Sequence, residues 1–470
     1  MKHVRVAADR WNFELDGTGQ YITPLGGNLL NDEHPGQGTL WSHFDAQDCD
    51  RRFGIMAGLG LNCLRQAIGV NQVFDAQGGL KAQGLRNWDT FIALAEKHGV
   101  YLMPVGGYIG GGDWFDIARL ADSGRCLDES CAFWKAFVGH FAGHPAIWAW
   151  DLRNELLYDD QEAMAVGGPA SDGAVGRMLK DGWTDWLKVR YGSLAAMNKA
   201  FGSGYASFEE VPGSVRFVEN PFDLCAYDFR CYLNGRGYQW CKRQCDTIRE
   251  ASPGQMIVSG NNGWLSPDQD IWLANGFHNH AIHDLFDFVT HHPYPALQVM
   301  PGNRGDPLDG GPAKQYWLNA CIGMSRLDHY GKPMVIQEFG WYGGGESRFL
   351  CDLPYRSEKE HADYTRELIE SLIPHANGFM NWPTFDMPLA NDISNHGGIF
   401  TSDGKPKELA KVYGELAGRI QGRRQVRQRG TVMLQFSLLG LYTCRGCQND
   451  MWDKVHEVIE SGQIPDFRFI

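Results

Sequence analysis

Eight short apolar runs recur along the chain, each closing on Gly, Asn, His, Glu or Trp, with helix-forming stretches between them. They are PLGGNLL, GLNCLRQAI, GVYLMPVGGY, AIWAWDLRNE, QMIVSGNN, LFDFVTHHPY, KPMVIQEFGW and GFMNWPTFD. Helical patterns fill NWDTFIALAEKHG, CAFWKAFVGHFAGH and GKPKELAKVYGELAGR. Alternation of strand and helix favours a parallel sheet wrapped by helices, and eight strands are what a closed barrel requires. The expected fold is therefore α/β, a (β/α)8 TIM barrel. In that architecture the C-terminal ends of all strands open on one face, so the polar residues ending these runs converge on a common pocket.

Two stretches depart from the minimal repeat. After Glu155 the next strand is delayed by about a hundred residues, too long for a simple loop. Helical signals at DGWTDWLKVRYG and YDFRCYLNGRGYQWCKRQCDTIREA predict a helical insertion after strand 4, at about 156–254, over the barrel mouth. The basic segment RRQVRQRG follows the last barrel helix. It divides a catalytic barrel, 1–423, from a C-terminal tail, 424–470, with no motif of its own. Before the barrel, FELDGTGQYIT predicts a small hairpin turning at Asp16-Gly17.

The 470 residues carry a formal net charge of -13, which argues against a nucleic-acid partner, since neutralising phosphates calls for clustered Lys and Arg. No run approaches the roughly 18 apolar residues of a membrane span. The start, MKHVRVAADRWNFELDG, lacks the apolar core of an export signal, so a cytoplasmic location is expected, with mostly reduced thiols among the twelve cysteines. Cys444-x-x-Cys447 lacks the second close pair of a zinc site, and no metal or cofactor is expected. The 16 Trp, 17 Tyr and 25 Phe suit sugar stacking as well as core packing.

Hydrolysis of a glycosidic bond needs a proton for a poor leaving group and a negative partner for the cationic sugar, and two carboxyl groups supply both. Glu155 ends the fourth run and Glu338 the seventh, 183 residues apart in sequence but at one face of a barrel. With Asn154-Glu155, Glu338 in VIQEFGW, Arg65 in GLNCLRQAI, His292 and Tyr294 in HHPYP, and Trp382 in NWPTFD, the chain resembles the retaining glycoside hydrolases of clan A, and family 5 among them. The resemblance covers roughly residues 10–420. It implies Glu155 as acid/base, Glu338 as nucleophile, Asn154 on the sugar 2-hydroxyl, and Arg65 and Tyr294 holding Glu338 charged. Trp382 would form a sugar platform. Leu156 stands where family 5 commonly has Pro, and WTDWLKVRYGSLAAMNKAFGSGYASFEEV resembles an insertion of family 42 β-galactosidases.

Trp114, Trp264 and Trp341 lie beside Gly-rich strand ends and are candidates for sugar stacking or for loop packing. The expected function is a retaining β-glycoside hydrolase on an oligosaccharide or glycoside, a mannoside or mannan favoured and a galactoside the alternative. Two other readings remain: a non-catalytic carbohydrate-binding barrel, and a metal-dependent hydrolase using His291 and His292. The oligomeric state is not encoded in any motif.

Overall fold

The computed structural model describes residues 1–29, 39–75, 78–106, 125–155, 174–213, 220–260, 277–295, 305–349 and 351–470, with backbone only at 125–126, 174–181 and 349. The hairpin expected before the barrel joins a third strand. β1 (Val4–Val6), β2 (Phe13–Leu15) and β3 (Gln20–Ile22) form an antiparallel sheet. Val4 and Phe13 pack with Cys63, Tyr101, Met256, Val335 and Met380 from the barrel strands and with Trp148 and Phe288 just before two of them. The small sheet therefore plugs the barrel at the N-terminal ends of its strands.

The barrel itself is built from β4 (Leu25–Asn28), β5 (Cys63–Ala67), β6 (Tyr101–Val105), β7 (Ala149–Asp151), β8 (Met256–Val258), β9 (Val289–His291), β10 (Met334–Phe339) and β13 (Phe379–Asn381). Their order in the sheet is β8-β7-β6-β5-β4-β13-β10-β9, and every ladder is parallel. Between β8 and β9 the barrel is nearly closed by two bonds, Asp287 N–H to Ile257 O at 3.0 Å and Thr290 Oγ1–H to Ser259 O at 2.6 Å. The eight runs named above supply these eight strands. Glycine in PLGGNLL has a steric cause: a Cβ on Gly26 would lie 1.7 Å from the Cys63 carbonyl oxygen of the adjacent strand.

Helices form where the apolar periodicity placed them, over Ala82–His98, Arg125–His140 and Glu408–Ile420. The first ends at Gly99, φ +71, whose left-handed conformation suits glycine at a helix terminus. Between β7 and β8 the described chain is helical at Ala174–Tyr191, Leu194–Phe201 and Leu224–Ala251. A short hairpin, β11 (Gly345–Phe349) with β12 (Cys351–Arg356), follows β10.

Residues 424–470 are folded onto the barrel. β14 (Val432–Phe436) and β15 (Pro465–Phe469) pair in parallel across two helices, Leu438–Thr443 and Arg445–Glu460. The longer helix lies against the barrel helix Gly311–Asp328 so closely that a Cβ on Gly323 would meet Val455 Cγ1 at 2.7 Å. No helix among the described residues is long and apolar enough to cross a membrane.

Candidate active site

At the C-terminal ends of the strands, Arg65 is the hub. Its side chain is fully buried in the middle of β5. Nε donates to Asp151 Oδ2 at 2.7 Å, Nη2 to Asn154 Oδ1 at 2.8 Å, and Nη1 both to Asn28 Oδ1 at 3.2 Å and to Glu338 Oε1. One guanidinium thereby ties the ends of β4, β5, β7 and β10 together. A buried charge is tolerated only when paired and hydrogen-bonded, and here two carboxylates meet that demand.

Glu338 reaches the lumen because β10 breaks its own alternation. Ile336 pairs with Phe379 and Phe339 with Asn381, so three steps along β10 face two along β13. The extra residue is a bulge, which re-aims side chains locally. As a result adjacent residues Gln337 and Glu338 both bond into the site. Gln337 Nε2 donates to Asp151 Oδ2 at 2.9 Å, and Glu338 Oε2 accepts from the Tyr294 hydroxyl at 3.4 Å.

His292 links the two glutamates. Its Nδ1 lies 3.1 Å from Glu155 Oε1 and 3.7 Å from Glu338 Oε2, and its Nε2 is 3.1 Å from Gln337 Oε1. Because Gln337 spends its amide donor on Asp151, its oxygen faces the imidazole and Nε2 carries a hydrogen. Nδ1 is then the nitrogen that shares a proton with Glu155. Burial works against a charged His292, but the carboxylates of Glu338 and Glu155 outweigh it and lift its pKa above the ordinary range. Burial likewise lifts the Glu338 carboxyl, against the pull of His292 and Arg65.

Glu155 itself sits four residues beyond β7 at φ +44, a backbone region that non-glycine residues rarely occupy. It is 8% exposed and Glu338 4%. One oxygen from each and a nitrogen of His292 lie within 4.8 Å of one another. Gly260, at the end of β8, leaves room for this cluster: its N–H caps Asp151 Oδ1 at 3.0 Å, and a Cβ there would lie 2.8 Å from Arg65 Nη2.

Seven of the residues expected from the sequence thus meet at one end of the barrel: Arg65, Asn154, Glu155, His292, Tyr294, Glu338 and Trp382. Trp382, joined to Pro383 by a cis peptide, packs on Ala67 and Val105, donates its indole N–H to Ser394 Oγ at 3.0 Å and keeps part of its ring exposed. Trp341 is fully enclosed and donates to Asp306 Oδ1 at 3.1 Å, so it presents no ring face to a sugar. Trp114 and Trp264 lie outside the described residues. Sequence reading passed over Asp151, Gln337, Gly260 and Asn28. A charge inside the apolar run IWAWD was the signal available for the first.

The metal reading rested on His291 and His292, which face opposite sides of their strand, as successive strand residues do. His291 turns outward to the helix Gly311–Asp328, 3.9 Å from Asp328 Oδ2, and burial lowers its pKa to about 4. The cluster of Glu155, His292 and Glu338 has donors for a cation, but the Arg65 guanidinium already occupies Glu338 Oε1 and would repel one.

Residues 127–338, a segment ending on Glu338, match the family model Glyco_hydro_42, described as beta-galactosidase. The match makes this segment similar to a glycoside hydrolase family, and the chain carries it on a (β/α)8 scaffold. Among solved structures, a beta-galactosidase from the psychrophilic Marinomonas ef1 superposes with TM-score 0.68 at 18% identity, covering 95% of this chain and 69% of that one. An exo-beta-1,4-mannosidase from Opitutaceae bacterium strain TAV5 gives 0.65 at 17%, covering 99% and 72%. A GH5_18 variant from Streptomyces cattleya, in complex with Manb1-4GlcNAc, gives 0.62 at 12%, covering 95% and 94%. The chain is thus similar to clan A glycoside hydrolases of families 42 and 5. No curated protein matches it in sequence.

Proposed function

We propose that the chain is a retaining β-glycosidase, with Glu338 as nucleophile and Glu155 as acid/base. The observation that supports this most is the approach of the two carboxyl groups, oxygen to oxygen within 4.8 Å, both facing Nδ1 of His292. Retaining enzymes hold their carboxyl pair about 5 Å apart, whereas inverting enzymes leave room for a water between them.

In the first step Glu155 protonates the leaving oxygen while Glu338 Oε2 attacks the anomeric carbon. Oε1 stays on Arg65, which orients the carboxylate, while Oε2, at the longer 3.4 Å from the Tyr294 hydroxyl, is the oxygen that reacts. The ester neutralises Glu338, and Glu155, now a carboxylate, removes a proton from the incoming water. The proton taken from that water resets Glu155 as the acid, and His292 Nδ1, 3.1 Å from Glu155 Oε1, orients it. Asn154 gives its Oδ1 to Arg65, leaving its Nδ2 hydrogens for the sugar 2-hydroxyl.

For the sugar, the match over 127–338 favours a β-galactoside. A β-mannoside is the second reading, favoured by the likeness to the exo-mannosidase and to the GH5_18 structure holding Manb1-4GlcNAc. The test compares kcat/KM for 4-nitrophenyl β-galactoside and β-mannoside and follows the anomer released by NMR. Retention with one preferred sugar is expected. An inverted first product, or full activity in Glu338→Ala, overturns the assignment.

A further inference from the structure

At the opposite end of the barrel, below the plug sheet, lies a cleft of about 570 Å³ whose charged lining is Asp9, Arg10, Arg326, Arg424, Arg427, Arg429 and Asp466. Its walls come from the β1–β2 connection, the turn three residues before β10, the basic segment after the last barrel helix, and β15. Five arginines face two aspartates there, an excess of three positive charges on a chain whose net charge is -13.

The two acids are already engaged. Asp9 accepts from the backbone N–H groups of Trp11 and Asn12 and from Arg424 Nε at 3.0 Å. Asp466 pairs with Arg326, which also donates to Gln428 O at 2.8 Å and Pro465 O at 3.1 Å. Among the described residues Arg10, Arg427 and Arg429 have no carboxylate partner. Arg427 donates to the His329 ring and lies 5.1 Å from the centre of the Trp11 ring. Burial, with Arg427 and Arg326, lowers His329 to about 3, so that partner is neutral. Burial and Arg326 also lower Arg427, and the Asp466 carboxylate offsets this only in part.

We infer that this cleft binds a small, multiply charged oxyanion. Planar guanidinium groups match phosphate and carboxylate oxygens in pairs, and three of them around one cavity recognise two or more anionic groups at once. The volume falls in the range of about 300 to 1,000 Å³ typical of small-molecule sites. Gly331, at φ +75, and Gly430, where a Cβ would lie 2.4 Å from Asp466, keep the cleft free of side chains at its edges. The inference is independent of the glycosidase reading.

The test is calorimetric titration of the full chain with pyrophosphate and, separately, with citrate. The Arg10→Gln/Arg429→Gln variant removes two exposed guanidiniums that hold no part of the fold together. One saturable site is expected, weakened about tenfold in the double variant and weakened again as salt rises. Tighter pyrophosphate binding identifies a phosphate ligand, and tighter citrate binding a polycarboxylate. Absence of saturation at millimolar concentrations of both, or unchanged affinity in the double variant with an unchanged circular dichroism spectrum, overturns the proposal.

Discussion

Asp151 Oδ2 accepts the Nε–H of Arg65 at 2.7 Å, and both side chains are fully buried. The same carboxylate oxygen takes the Gln337 amide, so one acid orients the residue that holds the nucleophile and the residue that holds His292. Asp151→Asn keeps the shape but removes the charge. A buried ion pair broken on one side costs about 3 to 5 kcal/mol, so a stability loss near the lower figure is expected from urea unfolding. A fall in kcat of about a hundredfold, with KM little changed, would separate a positioning role from a purely structural one.

Glu155→Ala should discriminate between substrates by their leaving groups. A 2,4-dinitrophenyl glycoside needs little protonation and should lose little in the first step, whereas an unactivated disaccharide should lose about 10²- to 10⁴-fold. Azide should then speed turnover and give a glycosyl azide of retained configuration. Equal losses on both substrates would remove Glu155 from the acid role.

The pH dependence follows from Glu338. Burial raises its pKa in the folded chain, so the acid limb of kcat/KM should lie above the ordinary glutamate value of about 4.3. Replacing His292 by Gln removes a charge that opposes the rise and should move that limb to higher pH. Between the unfolded and the folded pKa the native state binds the extra proton, so this group's contribution to stability falls as pH rises. The melting point of Glu338→Gln relative to the parent chain should therefore rise as pH goes from 4 to 7.

Trp382→Ala removes the partly buried ring at the mouth. A stacking platform lost in this way should raise KM about tenfold with a smaller effect on kcat, and Trp382→Phe should recover part of the loss. If KM is unmoved, the ring serves packing on Ala67 and Val105 alone.

Gly323→Leu forces a side chain into the 2.7 Å gap beneath Val455. Overpacking of this kind costs about 1 to 3 kcal/mol. Thermal unfolding should show that loss while kcat/KM at the distant mouth is preserved, because the helix Arg445–Glu460 lies on the outside of the barrel.

The barrel was legible because its strands are buried on both faces and so read as unbroken apolar runs, with the reactive groups at their ends. Glu155, His292, Tyr294 and Glu338 could be found for that reason, and Arg65, in the middle of β5, through the resemblance to family 5. Asp151 and Gln337 were not, because each lies inside a run and owes its meaning to partners more than a hundred residues away or on another strand. The pairing of β14 with β15 was equally hidden: a parallel ladder has no turn to announce it, and its two strands are separated by the helices Leu438–Thr443 and Arg445–Glu460.

The bulge in β10 makes this strand intolerant of a change in length that a loop would absorb. Deleting one residue between Ile336 and Phe339 would restore strict up-and-down alternation. The chain would then have to choose which of Gln337 and Glu338 to keep in the lumen. Kept alone, the amide would leave Arg65 without its second acid; kept alone, the acid would leave His292 without its anchor. Apart from Gln337 and Glu338 themselves, this strand should therefore accept exchanges of side chain far more readily than any shift in its count.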